Sequence, residues 1–251
     1  MQNQFDPRTR TTGYDPAVSV GVPRAARDAG LRSYMLKVYN YMASGVLLTG
    51  IVALGFANSS LINLIVNPAT GQATPLFWVA LFAPLAIVFL LSFGINRISA
   101  GTAQALFWVY AGLIGVQFSS LFLVYTGASI AQAFFATAAA FLGLSLYGYT
   151  TKRDLSRFGT FLIMGVVGIF VALLLNMFLR SSALDLAISA IGVLVFAGLT
   201  AYDAQKIKSI YFVVAGNGEA MAKTAVIGAL NLYLDFINMF LFLLRLFGDR
   251  R

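Results

Sequence analysis

Two long stretches of the chain, residues 38–96 and 98–151, contain no charged side chain. Each stretch has room for two membrane-spanning helices, because about 20 apolar residues cross the hydrocarbon core of a bilayer. A segment rich in Asn, Ser, Pro and Gly divides the first stretch at 58–74, and the sequence TGAS at 126–129 divides the second. The pattern therefore predicts two helical hairpins inside a membrane.

The composition is also typical of a membrane protein. Of 251 residues, 59% are hydrophobic and 10% are charged, whereas a typical soluble domain carries about 25% charged residues. Three further apolar runs complete a set of seven, so we predict an all-α polytopic membrane protein with seven transmembrane helices. The predicted spans lie near residues 34–57, 76–95, 104–125, 129–149, 158–179, 186–207 and 225–247.

The first 33 residues differ from the rest of the chain, because they combine five Arg and three Asp with three of the six prolines. They have no sustained hydrophobic period, which is typical of a disordered segment. We predict a disordered cytoplasmic tail at 1–33, a seven-helix transmembrane domain at 34–248 and a short C-terminal tail at 249–251.

Basic residues flank the apolar runs, so the net charge of +8 favours orientation in a membrane over nucleic-acid binding. With a cytoplasmic N-terminus, the loops on the opposite side carry only Arg180. Seven complete spans place the basic C-terminal end outside, against this rule, and a last segment that crosses only partly is the alternative. The expected cytoplasmic loops carry Arg97, Lys152, Arg153, Arg157, Lys206, Lys208 and Lys223.

The chain has no Cys and no His. This excludes disulfides, thiolate nucleophiles, Ser-His-Asp triads and HExxH metal sites. Proton chemistry inside the membrane must then use carboxylates, Tyr, Lys or Arg.

Two carboxylates fall inside predicted spans. Asp235 lies in NLYLDFINMFLFLL, near the middle of the last span, and Asp203 lies in GLTAYDAQKIK, one to two turns before Lys206 and Lys208. An ionised Asp at the centre of a membrane helix costs roughly 2.5 to 3.5 kcal/mol on insertion scales. Such a cost indicates a partner or a function for each side chain.

We predict that Asp203 and Asp235 meet between consecutive antiparallel helices and share a proton, which would make the pair a pH sensor. Asn231 and Asn238 lie on the same helical face as Asp235 and are candidates to hydrogen-bond it or to line a polar path. Two alternatives stay open: Asp203 as an interfacial residue paired with Lys206 or Lys208, and Asp235 as a protonated structural hydrogen-bonder.

Other polar residues have a functional and a structural interpretation. Arg97, at the cytoplasmic end of the second span, is a candidate ion-pair partner for Asp203 or a simple orientation anchor. Tyr202 is a candidate supporting residue beside Asp203, with packing as its alternative. Gln117 and Asn176 are expected to join neighbouring helices by hydrogen bonds.

Three segments carry a family resemblance: SLYGYTTKRDLS at 145–156, GVLVFAGLTAYDAQKIK at 192–208 and ALNLYLDFINMFLFLLRLFG at 229–248. With the seven spans, they make residues 34–248 similar to the bacterial branch of the Bax inhibitor-1 (transmembrane Bax inhibitor motif) family. The resemblance implies a multi-pass protein of the bacterial inner membrane, in which the last helix is central. Between Lys208 and Lys223, the sequence predicts a longer loop than compact family members have.

The resemblance also implies a pH-sensitive calcium leak channel. It assigns the paired aspartates to Asp203 and Asp235, which would also contact Ca2+ transiently, and the latch arginine to Arg97. The implied partners are therefore the lipid bilayer, Ca2+ and protons, without a cofactor.

Other functions are weighed against this one. A non-catalytic regulator that binds a membrane protease or another membrane protein is one alternative, and a cation/proton exchanger is the other. An intramembrane aspartyl protease would need GxGD where this chain has LYLD at 232–235. We therefore predict that the protein is not an enzyme.

Overall fold

The computed structural model describes residues 24–250, with side chains from Arg27 onward. Seven long helices in this range are apolar enough to cross a membrane, which confirms the predicted all-α fold with seven spans. They are α1 Arg24–Ala57, α2 Pro75–Gly94, α3 Ala100–Phe118, α4 Gly127–Thr150, α5 Ser156–Leu179, α6 Ser182–Val214 and α7 Gly218–Phe247.

Short polar residues start four of these helices. The side chains of Ser99, Thr126, Ser181 and Asn217 each accept a hydrogen bond from a backbone N–H in the first turn of α3, α4, α6 and α7. These N–H groups have no partner within the helix, so such caps satisfy them. Helix α2 instead begins with Pro75, which has no N–H to satisfy.

The third span is interrupted near its end. Helix α3 ends at Phe118, and a short helical turn over Leu121–Val124 follows. The hydroxyls of Ser119 and Ser120 donate to the carbonyls of Val116 and Gln117. This local hydrogen bonding competes with the helical pattern, which explains why the single helix predicted at 104–125 is divided.

Helix α7 is the centre of the bundle, as the family resemblance implies. In its apolar segment 72% of the residues are buried, against at most 33% in any other span. Helices α1, α3, α4 and α6 all pack on it, and its contact with α6 is the most extensive. Lipid-facing helices such as α5 expose most of their apolar side chains instead.

Helices α1, α6 and α7 are longer than the sequence predicts. Helix α1 starts at Arg24, so residues 24–33 of the predicted tail are helical, while residues 1–23 lie outside the described part. Helix α6 continues to Val214 and α7 starts at Gly218, so the long loop predicted between Lys208 and Lys223 is wrong. The extended ends support each other, since Gly30 packs on the ring of Tyr211.

The chain after α7 is attached to the rest of the bundle by a C-terminal strap, residues 248–250. The backbone N–H of Thr126 donates to the carbonyl of Asp249 at 3.2 Å, and the N–H of Asp249 donates to Ser129 Oγ at 3.0 Å. Arg250 lies 3.8 Å from a carboxylate oxygen of Asp185. Because Asp185 lies in the first turn of α6, the end of α7 lies on the opposite side of the bundle from the start of α1, and α7 runs the full length of the bundle.

We use two names for the sides of the bundle. The N-terminal end holds the start of α1 and the α2–α3, α4–α5 and α6–α7 connections. The C-terminal end holds the strap and the other connections. The C-terminal tail predicted at 249–251 has two described residues, Asp249 and Arg250, and both belong to the strap.

Helices α4 and α6 approach each other closely at Gly148. A Cβ atom at this position would collide with the backbone carbonyl of Ala201, two residues before Asp203. We predict that Gly148→Ala lowers the free energy of unfolding by about 1–3 kcal/mol, as overpacking of a tight contact does. The measurement is the thermal unfolding midpoint of the purified protein in detergent.

Gly143 provides the control, because it lies on α4 in open space and is exposed. Gly143→Ala should be neutral or stabilising by about 0.5–1 kcal/mol, since alanine is the better helix former. Equal midpoints for the two variants would contradict the close approach of α4 and α6.

Candidate functional site

The two carboxylates of the predicted sensor lie in the seam between α6 and α7. Asp203 is on α6 with 9% of its surface exposed, and Asp235 is on α7 with 4% exposed. These two helices make the most extensive contact in the bundle. The structure therefore brings together the two acidic residues that the sequence analysis singled out.

Small and apolar contacts hold the two helices together around the carboxylates. Gly228 of α7 packs on the side chain of Ile207 on α6, and Gly192 of α6 packs on the ring of Phe242 on α7. Phe242 also stacks on Phe196, with ring centroids 5.8 Å apart. These contacts on both sides of the pair leave a narrow, apolar environment for two groups that prefer water.

Asp235 is the more deeply enclosed of the two. Its Oδ2 atom is buried and has no hydrogen-bond partner among the described residues. An oxygen in this position favours a proton or a cation, because an unsatisfied carboxylate is costly in a medium of low dielectric constant.

Nearby lysines do not form ion pairs with Asp203 within the described part of the chain. Lys208 Nζ donates to the carbonyl of Tyr149 at 2.8 Å, and Lys206 Nζ lies 5.7 Å from the centre of the Tyr202 ring. Since α6 extends well beyond Lys208, Asp203 lies deep in its helix, and the interfacial ion pair considered as an alternative is not formed.

A cavity of 520 Å3 leads from the N-terminal end toward the carboxylate pair. It lies between the end of α2, the second half of α6 and the first turns of α7. Asn231 lines it, four residues before Asp235 on α7, and so does Lys206, three residues after Asp203 on α6. A polar route thus extends to about one helical turn from each carboxylate.

The two asparagines have different surroundings. Asn231 faces the cavity, as expected for a residue that lines a polar path. Asn238 donates from its side-chain amide to the carbonyl of Leu234 in its own helix, at 2.8 Å. Among the described residues, neither forms a hydrogen bond with Asp235.

Arg97 lies in a short 3-10 turn, Ile95–Arg97, directly after α2. It is exposed and forms no ion pair with a described acidic residue. Ile95 and Asn96, however, line the cavity that approaches the carboxylates. The structure thus places Arg97 beside the cavity without bringing it to Asp203 or Asp235.

The remaining predicted polar residues have mainly structural contacts. Tyr202 packs on Gly159 of α5 and lies under Lys206, so its surroundings match the packing interpretation. Gln117 joins α3 to α2 through a 2.6 Å hydrogen bond to the carbonyl of Ala80, as predicted. Asn176 of α5 accepts from the N–H of Ser181, the N-cap residue of α6, and so joins the end of α5 to the start of the next helix.

The sequence analysis missed a second hydrogen-bonded group on α7. The Thr49 hydroxyl donates to the carbonyl of Ala111 at 2.8 Å, and the Tyr233 hydroxyl lies 2.6 Å from Thr49 Oγ1. This leaves Thr49 Oγ1 to accept the Tyr233 proton. The group joins α7 to α1 and α3 on a different face from Asp235, and it fixes the rotation of the central helix.

Calcium would find only a partial coordination shell at the pair. Asp203 and Asp235 supply four carboxylate oxygens at most, whereas Ca2+ usually takes 6–8 oxygen ligands. Within the described residues, no third acidic side chain, His or Cys joins them. This donor set is therefore smaller than a resident Ca2+ ion usually takes.

The fold and the seam define a class: a polytopic helical membrane protein with two buried acids, one on its central helix and one on the helix packed against it. A family model described as "Inhibitor of apoptosis-promoting Bax1" matches residues 31–251. The chain therefore belongs to the Bax inhibitor-1 family, which confirms the resemblance seen in the sequence.

Three bacterial relatives illustrate this membership. The uncharacterized protein RP147 of Rickettsia prowazekii is 50% identical over 224 residues, covering 89% of this chain and 92% of the relative. An uncharacterized protein of Caulobacter vibrioides is 44% identical and covers 95% and 97%. The inner membrane protein YbhL of Escherichia coli is 48% identical and covers 89% and 94%.

Proposed function

We propose that the protein is a pH-sensitive calcium leak channel of the bacterial inner membrane, controlled by Asp203 and Asp235. The observation that carries this proposal is the burial of both carboxylates in one seam, without an ion pair to a described basic residue. Two adjacent carboxylates in such a place repel each other when both are ionised, and binding of a proton or a cation removes the repulsion.

In this proposal, Arg97 determines whether the leak increases or decreases when the pH falls. When Asp203 is ionised, Arg97 moves from its exposed position into the neighbouring cavity and pairs with it, which holds the end of α2 against α6. Acidification neutralises Asp203 and removes this ion pair. The leak therefore increases as the pH falls, because α2 is then released from the central helices.

The decisive measurement is calcium efflux from liposomes that contain only the purified protein, between about pH 6 and 8, where buried carboxyl pairs can change charge. The native protein should leak faster as the pH falls. Asp203→Asn should leak at the acid rate throughout, because it mimics the neutral form and cannot hold Arg97. Asp235→Asn should flatten the pH profile, because it removes the repulsion within the pair.

Asp154→Asn is the matched control. Asp154 is exposed in the α4–α5 connection, and hydrogen bonds from Ser156 hold the pKa of its carboxyl below the usual range. It therefore stays charged throughout the assay, and its removal should leave the pH profile of the leak unchanged.

Identical pH profiles for the native protein and both seam variants would rule out the sensor. A leak that appears only with a partner protein present would favour the regulator alternative, and efflux strictly coupled to a proton gradient would favour the exchanger.

The same assay tests Arg97 separately. Arg97→Ala should raise the leak at the alkaline end of the range by roughly tenfold, the effect of losing about 1.4 kcal/mol from the closed state. Arg157→Ala removes an exposed arginine from the same end of the bundle and should change nothing. If Arg97→Ala behaves like Arg157→Ala, Arg97 only orients the chain in the membrane.

We further propose that the N-terminal end of the bundle faces the cytoplasm, because it carries most of the basic residues in the connections. Since the chain has no native Cys, single cysteines can report on this directly. Asn67→Cys, exposed between α1 and α2, should react with an impermeant maleimide in spheroplasts. Ser209→Cys, exposed near the end of α6, should react only after permeabilisation. The reverse pattern would invert the proposed orientation.

A further inference from the structure

An apolar groove opens on the side of the bundle between α1 and α4. These two helices pack on α7 and make little contact with each other, so part of α7 is reached from the side. The groove has a volume of 350 Å3. We call it the lateral groove and define it by Gly50 and Ile51 on α1, Ile130 and Phe134 on α4, and Ile237 and Phe240 on α7.

The residues that line the lateral groove have no free polar group that could hydrogen-bond a water molecule. Thr49 is the one polar residue among those that line it, and its hydroxyl already bonds to the Ala111 carbonyl and the Tyr233 hydroxyl. An apolar cavity without polar partners stays dry. An empty groove would in turn lose the dispersion contacts that a close-packed neighbour supplies. The occupant must therefore be apolar.

The rim of the groove continues into the lipid-facing surface. Ile51 and Leu54 on α1 and Phe135 on α4 line the groove and are at least half exposed. They belong to the apolar outer face that the bundle presents to a bilayer. An occupant can thus enter sideways from the membrane without crossing an aqueous region.

The length of the groove along α7 is close to the thickness of the hydrocarbon region of one bilayer leaflet. It begins at Phe236, next to the middle of α7, and reaches Gly127 at the C-terminal end of the bundle. From Phe236 to the end of α7 at Phe247 the helix rises about 16 Å. This is close to half the thickness of the hydrocarbon core, about 15 Å.

We propose that the lateral groove binds one acyl chain of a membrane lipid from the leaflet at the C-terminal end. The chain lies against Ile237 and Phe240 and supports α7 on the face turned away from α6. This site is separate from the carboxylate pair, and its occupation does not depend on calcium leak.

Two tryptophan reporters test this proposal at nearly the same depth on α7. Phe240 and Phe242 are each 5% exposed, but Phe240 lines the lateral groove and Phe242 stacks on Phe196 of α6. Trp78 and Trp108, the two native tryptophans, are first replaced by Phe. The reporters Phe240→Trp and Phe242→Trp are then reconstituted in phosphatidylglycerol vesicles with plain or brominated acyl chains, since bromine quenches tryptophan on contact.

Phe240→Trp should lose most of its emission in the brominated vesicles, and Phe242→Trp should keep most of its own. Gly50→Leu should restore the emission of Phe240→Trp, because a side chain at Gly50 meets open space and fills the groove. Gly55→Leu is the matched control on α1, also in open space but outside the groove, and it should restore nothing.

Equal quenching of the two reporters, or quenching that Gly50→Leu does not relieve, would overturn the proposal. The proposal would also be overturned if a second copy of the chain occupied the groove. In that case Phe240→Trp would not be quenched, and a dimer could be cross-linked. Native mass spectrometry gives a measurement that needs no tryptophan. Gly50→Leu should retain one lipid fewer than the native protein and Gly55→Leu the same number, whereas equal retention by both contradicts the site.

Discussion

The enclosure of α7 by four neighbouring helices is the constraint on which the rest of the structure depends. A helix surrounded by protein can carry groups that a lipid-facing helix cannot, because its polar side chains need not meet hydrocarbon. Asp235 and Tyr233 lie on different faces of α7, and their polar atoms differ in hydrogen bonding. The tyrosine hydroxyl bonds to Thr49, while the buried carboxylate oxygen has no such partner. One face therefore fixes the helix and the other retains an unsatisfied charge-bearing group.

The seam between α6 and α7 combines two properties that are rarely compatible. It packs closely, through Gly228 on Ile207 and Gly192 on Phe242, and it contains two acids. Close packing excludes the water that would otherwise solvate the acids, so an ionised carboxylate is costly in this seam. The cavity lined by Asn231 and Lys206 extends to about one helical turn from both acids.

The sequence predicts the seven spans and singles out Asp203 and Asp235, because apolar length and an isolated buried charge are local signals. The central position of the last helix was implied by the family resemblance instead. The sequence does not predict where α1 begins or where α6 ends, because these outer turns are stabilised by contact between Gly30 and Tyr211, far apart in the chain. The Thr49–Tyr233 bond was missed for the same reason: a threonine and a tyrosine in apolar runs give no sign of their partner. Arg97 lacks a distinctive local context, so the sequence leaves both of its interpretations open, a latch for Asp203 and an orientation anchor.

The C-terminal strap determines how the central helix can move. Asp249 is bonded to Thr126 and Ser129, and Arg250 pairs with Asp185, so α7 is fastened at one end. Because this end is fastened, α7 cannot shift along its own axis, but it can tilt about the fastened end. Over the 30 residues of α7, about 45 Å, a tilt of a few degrees displaces the opposite end most. The opposite end, which begins at Gly218, lines the cavity, so such a tilt changes the shape of the cavity more than it changes any other part of the bundle.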